Sequence, residues 1–254
     1  MVDIHCHILP KLDDGPKQQL DFLAMAKAAV QNGISHIYAT PHHRNGQYEN
    51  TKLQILGSVA QANHLLQQEN IPLVLHPGQE LRIHLELFHS IEMGEVLTLD
   101  NDGKYLLLEL PSAEVPNYTR EIVYELLIRG IQPIIVHPER NKSFMKSPNL
   151  LFEIVQEGAL TQLTSGSIIG QFGKKIKAFA EKIIEHQLAH FIATDAHNTH
   201  ARGFSLYEAY ETISRKSEIG VTSFLKENAN LLLLKEEVKR EQPLPFRKKV
   251  LGVF

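Results

Sequence analysis

Short aliphatic and β-branched runs recur along the chain at 2–6, 36–39, 73–75, 105–110, 133–136, 160–163 and 191–194. Longer stretches of helical pattern lie between them, at 18–31, 51–68, 85–91, 119–129, 149–156 and 174–186, with two more at 206–215 and 221–228. The first pattern suits buried strands and the second amphipathic helices. Gly33, Gly130 and Gly158 stand where a helical stretch gives way to the next short run, the place where a helix closes on a left-handed residue. Seven strands alternating with helices predict βαβ units and a parallel sheet of the α/β class. No strand runs into a Gly-rich nucleotide fingerprint, which disfavours a dinucleotide-binding sheet. Closed into a barrel, such a sheet gathers the C-terminal ends of its strands on one face, where chemistry is placed. No linker or repeat divides residues 1–236, which are expected to form the barrel. Residues 237–254, basic and broken by Pro243 and Pro245, are expected to form a tail.

Composition narrows the class. The 254 residues are 43% hydrophobic and 22% charged, enough apolar surface for a sizeable core. A net charge of −3 argues against a strongly basic nucleic-acid surface. Cys6 is the single cysteine, so no disulfide forms within the chain. The start lacks the charged and apolar regions of a signal peptide, and the longest aliphatic runs, such as 231–234, are far short of a membrane span. A soluble cytoplasmic protein is expected. The 14 histidines direct attention to metals.

The residues at the end of each short run supply the chemistry. The first run ends in His5-Cys6-His7 and the second leads to Thr40-Pro41-His42-His43. The third leads to Pro77-Gly78-Gln79-Glu80, and the fourth reaches Glu109. The fifth runs into His137-Pro138-Glu139-Arg140, the sixth into Thr164-Ser165-Gly166-Ser167 and the seventh into Asp195-Ala196-His197. Residues two apart on a strand share a face, so His5 and His7 converge, as do Asp195 and His197. Taken singly, the two N-terminal histidines could be structural, and Asp13-Asp14-Gly15 reads as a turn. Of His42 and His43, one is expected to stand behind the ligands. Glu109, in an aliphatic run, is costly to bury unless a cation neutralises it. Together His5, His7, Asp14, His42, Glu80, Glu109, His137, Asp195 and His197 put nine nitrogen or oxygen ligands at one barrel end. Polar residues at strand ends scatter in type when no ion selects them, and this mixture suits Mn, Fe or Zn. Nine ligands are too many for one ion and suit three that share a carboxylate. Three divalent ions against Asp14, Glu80, Glu109 and Asp195 leave an excess of about two positive charges, which attracts a phosphate dianion. Arg140 and Arg202 follow His137 and His197 closely and suit bidentate phosphate binding, although either alone could be a solvated surface arginine.

The ordered set of these motifs resembles the PHP (polymerase and histidinol phosphatase) superfamily. The run Asp3-Ile4-His5-Cys6-His7-Ile8-Leu9-Pro10, with Asp13-Asp14-Gly15 and Thr164-Ser165-Gly166-Ser167, narrows the resemblance to the bacterial PHP-type tyrosine-protein phosphatases of the CpsB, CapC and YwqE family. It covers essentially the whole chain. It implies a distorted TIM-like (β/α)7 barrel with three divalent ions, typically Mn²⁺. It also implies a partner, a phosphorylated bacterial tyrosine kinase with a Tyr-rich tail that controls capsule or exopolysaccharide export and holds the enzyme near a membrane. The implied first ion takes His5, His7, Glu80 and Asp195. The second takes Glu80, Glu109 and His137, and the third Asp14, His42 and His197. Arg140 and Arg202 hold the phosphate. No ligand position departs from the family pattern.

The expected reaction is direct attack on phosphorus by water that the ions activate, with His43 as the candidate acid. Cysteine-dependent chemistry is not expected, because position 12, where the phosphate-binding arginine would stand, is Leu12. The rival readings are a PHP phosphatase of a small molecule such as histidinol phosphate, and a catalytically silent metal-binding partner of a kinase. The tail, with Arg240, Arg247, Lys248, Lys249, Leu251, Val253 and Phe254, reads either as a packed terminus or as a basic, apolar foot near a membrane.

Overall fold

The computed structural model describes residues 1–246. Its strands are β1 (Val2–Cys6), β2 (His36–Ala39), β3 (His42–His43), β4 (Val74–Pro77), β5 (Glu80–Arg82), β6 (Tyr105–Glu109), β7 (Gln132–Val136), β8 (Leu160–Thr164) and β9 (Phe191–Ala193). All pair in parallel, in two sheets of order β1-β2-β4 and β3-β5-β6-β7-β8-β9.

Two of the nine strands are continuations of others rather than new barrel positions. The β2–β4 ladder ends at Ala39 opposite Pro77, and the β3–β5 ladder resumes at His42 opposite Glu80, three residues on in both chains. Hydrogen bonds from Gly78 N–H to the Ala39 carbonyl and from Glu80 N–H to the Pro41 carbonyl, both 3.1 Å, carry the register across the gap. Pro41 has no N–H for a ladder, so the interruption falls there. Gly78 is required at the matching break, because a Cβ would lie 2.7 Å from Leu99 Cδ2 and 2.9 Å from Thr40 Cγ2. The first half of each interrupted strand lies in the sheet with β1 and the second half in the sheet with β6. At the other edge Asp195 N–H donates to the His5 carbonyl (2.8 Å) and His7 N–H to the Ala196 carbonyl (2.9 Å), joining the segment after β9 to β1. Counted this way the seven predicted positions form a distorted, TIM-like (β/α)7 barrel.

The helices are α1 (Gln19–Gln31), α2 (Lys52–Gln68), α3 (Leu87–Glu92), α4 (Thr119–Ile128), α5 (Lys142–Lys146), α6 (Asn149–Gln156), α7 (Ser165–Ile169), α8 (Lys174–Glu185), α9 (Leu206–Lys216) and α10 (Val221–Leu233). The sequence pattern does not predict α5 and α7, since five residues are too few to repeat a 3.6-residue period. Asn141 caps α5, its side-chain oxygen accepting from Ser143 and Phe144 N–H at 2.9 and 3.0 Å.

Strand alternation separates two apolar layers. Leu106, Leu108, Ile135 and Ile192 pack in the cluster that includes Phe22, Leu66, Val123 and Ile183 of the helices. Tyr38, Leu107, Ile134, Val136 and Phe191 form a second cluster with Ala229 and Leu232 of α10 and with Val238. Val2, Tyr105, Leu160 and Phe191, the first residues of their strands, belong to this second cluster, so α10 closes the N-terminal mouth of the barrel. The segment beyond α10 stays against the barrel. Asn228 exchanges hydrogen bonds with the Lys239 backbone (2.8 and 3.1 Å), Leu244 N–H reaches the His186 carbonyl (2.9 Å), and Phe246 stacks on His186 at 4.0 Å. Arg247, Lys248, Lys249, Leu251, Val253 and Phe254 of the expected tail lie outside the described residues. Among the described residues no helix is long and apolar enough to cross a membrane.

Candidate metal centre

With its N-terminal mouth covered, the barrel opens at the strand C-terminal ends. β1 delivers His5 and, one step beyond its end, His7. The turn at 13–15 is pressed so closely on β1 that a Cβ at Gly15 would lie 2.2 Å from the His7 carbonyl oxygen, and this turn carries Asp14. β3, β5 and β6 present His42, Glu80 and Glu109. His137 and Asp195 follow β7 and β9 with left-handed backbones, φ 37° and 51°. Such conformations are unfavourable for side chains with a Cβ and recur at functional sites.

All nine predicted ligands come together. His5 Nε2 and His7 Nε2 are 3.2 Å apart, and both face the same two carboxylate oxygens. Glu80 Oε2 is 3.5 and 3.3 Å from them, and Asp195 Oδ1 is 3.6 and 3.3 Å. His42 Nε2 and His197 Nε2 lie 3.5 and 3.1 Å from Asp14 Oδ1. His137 Nε2 is 2.8 Å from Glu80 Oε1, and His42 Nδ1 is 3.9 Å from Glu109 Oε2. Three sets have ligand atoms within 4.8 Å of one another: His7, Asp14, His42 and His197; His5, His7 and Glu80; and His42, Glu80 and Glu109.

The surroundings fit these groups to metal ions. Nδ1 of His7 donates to Asp13 Oδ2 (2.6 Å), Nδ1 of His5 to Gln162 Oε1 (2.9 Å) and Nδ1 of His197 to the Asp195 carbonyl (2.9 Å). These acceptors fix the proton on Nδ1 and leave each Nε2 lone pair aimed into the cluster, the arrangement of metal-binding histidines. Glu80 Oε2, His42 Nδ1 and His197 Nε2 are buried without a hydrogen-bond partner. His42 Nδ1 approaches Glu80 Oε2 at 2.6 Å, but not in hydrogen-bond alignment. Leaving such atoms unsatisfied costs about 1–3 kcal/mol each, which a coordinated cation relieves. Imidazole and carboxylate donors without thiolate suit Mn, Fe or Zn.

The cluster is strongly polarised. Burial would raise the Glu80 and Asp195 carboxyls, yet His42 and His5 hold the first well below its usual range, and Arg140 and His7 hold the second there. Burial would lower His5 and His7, but Glu80 raises the one and Asp13 the other. Glu109 is pushed up to about 7 by burial and by Glu80, against Arg82. His137 is lowered to about 4 by burial and by Arg140.

Arg140 and Arg202 meet at Asp195 Oδ2, 2.6 and 3.0 Å away, and Arg202 also reaches Asp14 Oδ2 at 3.3 Å. They line a cavity of about 210 Å³ together with His42, Glu109 and His137, walled by Leu110, Val136 and Phe144. Both arginines therefore stand at the mouth that the ligands share. His43 does not. Neighbouring residues on β3 point to opposite faces, and His43 Nδ1 accepts from Asn50 N–H at 3.2 Å, away from the cluster.

Four further residues support the site and were not singled out from sequence. Asp13 orients His7, Gln162 orients His5, and Arg82 Nε donates to Glu109 Oε2 (3.0 Å), with Arg82 Nη2 ion-paired to the same oxygen at 2.9 Å. Buried Glu139 accepts from Thr164 N–H and the Ser167 hydroxyl (2.9 and 2.7 Å), tying the turn after β7 to α7. Arg82 was hidden, because the three-residue strand β5 that sets it beside Glu80 is too short to read from sequence. Gln162 was readable as a polar interruption of an apolar run. Asp13 and Glu139 stood inside the Asp13-Asp14-Gly15 and His137-Pro138-Glu139-Arg140 motifs, but nothing in their spacing assigned them the supporting roles seen here.

The family model for capsular polysaccharide synthesis, CpsB/CapC, matches residues 1–234. Tyrosine-protein phosphatase YwqE of Bacillus subtilis (strain 168) is 44% identical over 255 residues, covering 100% of both chains. A crystal structure described among those of YwqE from Bacillus subtilis and CpsB from Streptococcus pneumoniae, unique metal-dependent tyrosine phosphatases, matches with a TM-score of 0.94 at 42% identity, covering 98% of this chain and 100% of that one. Histidinol phosphate phosphatase from Lactococcus lactis, complexed with zinc, L-histidinol and phosphate, matches with a TM-score of 0.56 at 14% identity, covering 84% and 92%; this likeness concerns the fold alone.

Proposed function

The chain belongs to the CpsB/CapC family of capsular polysaccharide synthesis, and from that premise we propose how its barrel mouth works as a metal-dependent protein-tyrosine phosphatase. The observation that carries the reading is the clustering of three ligand groups beside a small cavity that His42, Glu109, His137, Asp195 and the two arginines line. Three Mn²⁺ ions are assigned, the first to His5, His7, Glu80 and Asp195, the second to Glu80, Glu109 and His137, and the third to Asp14, His42 and His197. The substrate is phosphotyrosine on a partner bacterial tyrosine kinase, at the cytoplasmic side of the membrane. Residues 1–236 are the catalytic barrel and 237–254 its C-terminal segment.

Bound divalent ions supply Lewis acidity and lower the pKa of the water they hold to about 7. The protein's own groups do the rest. Arg140 and Arg202 leave Asp195 for the phosphoryl oxygens and stabilise the charge that builds on them. Leu110, Val136 and Phe144 receive the aryl ring and exclude water. The tyrosine leaving group has a pKa of about 10, so its departure needs little acid assistance. His43, facing Asn50, is not retained as the acid.

The experiment is hydrolysis of a phosphotyrosyl peptide by the Mn²⁺-loaded protein beside histidinol phosphate. Turnover of the peptide is expected; turnover of histidinol phosphate alone would replace this reading. Arg140→Ala should lower kcat/KM by about 2–4 kcal/mol with metal content unchanged. Wild-type kinetics in that variant would place Arg140 outside the reaction. Cys6 is fully buried, its thiol pushed well up by burial and by Asp3, and its Sγ–H reaches the Ala196 carbonyl at 3.5 Å. Cys6→Ser should keep most of the activity; abolished turnover with metals still bound would reopen covalent chemistry.

A further inference from the structure

The segments around the catalytic mouth carry unequal charge. Residues 137–147 and 164–177, which follow β7 and β8, hold Arg140, Lys142, Lys146, Lys174, Lys175 and Lys177 against one acid, Glu139. That acid is fully buried and engaged with Thr164 and Ser167, so it neutralises nothing at the surface. By count the other mouth segments are balanced or acidic: 8–18 holds Lys11 and Lys17 with Asp13 and Asp14, 42–51 holds Arg44 with Glu49, and 110–118 holds only Glu114. Among the described residues, the lysines in ion pairs are Lys216 with Glu181 and Lys239 with Glu227, both outside these two segments. Lys142, Lys146, Lys174 and Lys175 are exposed.

The two segments adjoin at the site. α5 follows the 3₁₀ turn Pro138–Arg140 with one residue between, α8 packs against that turn, and Phe172, just ahead of α8, lies under the Arg140 guanidinium at 5.5 Å. A cationic shelf thus begins where the phosphate-binding arginine ends. Like charges held together repel one another and attract an anionic partner. We propose that this shelf docks negatively charged residues flanking the scissile phosphotyrosine, either carboxylates or a second phosphotyrosine, in a peptide that leaves the cavity across Phe172. The proposal rests on the phosphatase reading. A peptide is favoured over a lipid surface because a bilayer laid on these lysines would cover the adjoining mouth.

The test compares the Mn²⁺-loaded wild type with K142A/K146A and K174A/K175A on four substrates. These are p-nitrophenyl phosphate and phosphotyrosyl peptides with neutral flanks, with Asp/Glu flanks, or with a second phosphotyrosine. At low salt the wild type should favour the anionic peptides by about tenfold in kcat/KM, mainly through KM, and salt should erase the preference. Both variants should lose it while hydrolysing p-nitrophenyl phosphate at the wild-type rate. Equal kcat/KM for neutral and anionic peptides in the wild type, or an undiminished preference in both variants, would overturn the shelf. So would lysine-dependent binding to phosphatidylserine vesicles without peptide discrimination, which assigns the lysines to a membrane. Failure of the loaded wild type on p-nitrophenyl phosphate itself would instead remove the phosphatase reading, and this proposal with it.

Discussion

Stripping divalent ions with a chelator is expected to reduce phosphotyrosyl hydrolysis to background, with Mn²⁺ restoring it. The cluster's imidazoles and carboxylates are aimed at one another and Cys6 is buried in the apolar packing, so the expected nucleophile is water that bound ions would activate. Without ions, protons on His5 and His7 offset the negative charge of Glu80, Asp195 and Asp13. Such protons hold the cluster together but activate no water. The same removal should lower thermal stability, because ions bind the folded mouth and not the unfolded chain. At a ligand concentration a hundred times Kd, each site contributes about 2.7 kcal/mol. The measurement is elemental analysis of the stripped protein with a peptide assay and a melting curve on the same sample. Full turnover in a sample shown to be metal-free would end the metal mechanism, whatever the melting curve.

Much of this site was legible in sequence because barrel geometry converts order along the chain into place in space. His5 and His7 could be paired from an i, i+2 spacing alone, and Glu109 stood out as a charge in an aliphatic run. The breaks in the second and third strands were not legible as strand continuations. β3 and β5 are two and three residues long, below the length at which alternation can be read, and what marks them is a proline and a glycine that also suit loops. The same breaks decide the fate of His43. As part of a loop after a proline it could face the ions, but as the second residue of a strand that begins at His42 it must face away. The left-handed backbones at His137 and Asp195 were equally hidden, since neither is glycine and only tertiary contacts hold them. For Asp195 these include the hydrogen bond from its own N–H to the His5 carbonyl, beside a Thr194 backbone and hydroxyl that both donate to buried Asp3. The mouth is therefore shaped by bonds between segments as much as 191 residues apart, which no local pattern records.

Glu80→Gln is expected to have the largest effect of any single substitution. Glu80 is fully buried, and its two oxygens face four imidazoles: Oε2 lies toward His5, His7 and His42, and Oε1 toward His137. It is the one carboxylate shared by two of the three ligand groups. Glutamine keeps the shape but removes a negative charge and puts an amide NH₂ where one of those oxygens stood. An amide nitrogen donates hydrogen bonds and offers no lone pair to a cation, so at least one ion should be lost per chain. Metal occupancy should fall together with kcat/KM, the latter by about a thousandfold or more, which corresponds to about 4 kcal/mol of transition-state stabilisation. Folding should survive, because the isostere leaves no cavity and its NH₂ can donate to imidazole nitrogens. The melting temperature of the metal-free variant should therefore stay close to that of metal-free wild type, while the gain on adding Mn²⁺ shrinks. Elemental analysis, peptide kinetics and paired melting curves separate loss of the site from loss of the fold. A variant that retains the full wild-type metal complement and turnover would show that Glu80 bridges nothing.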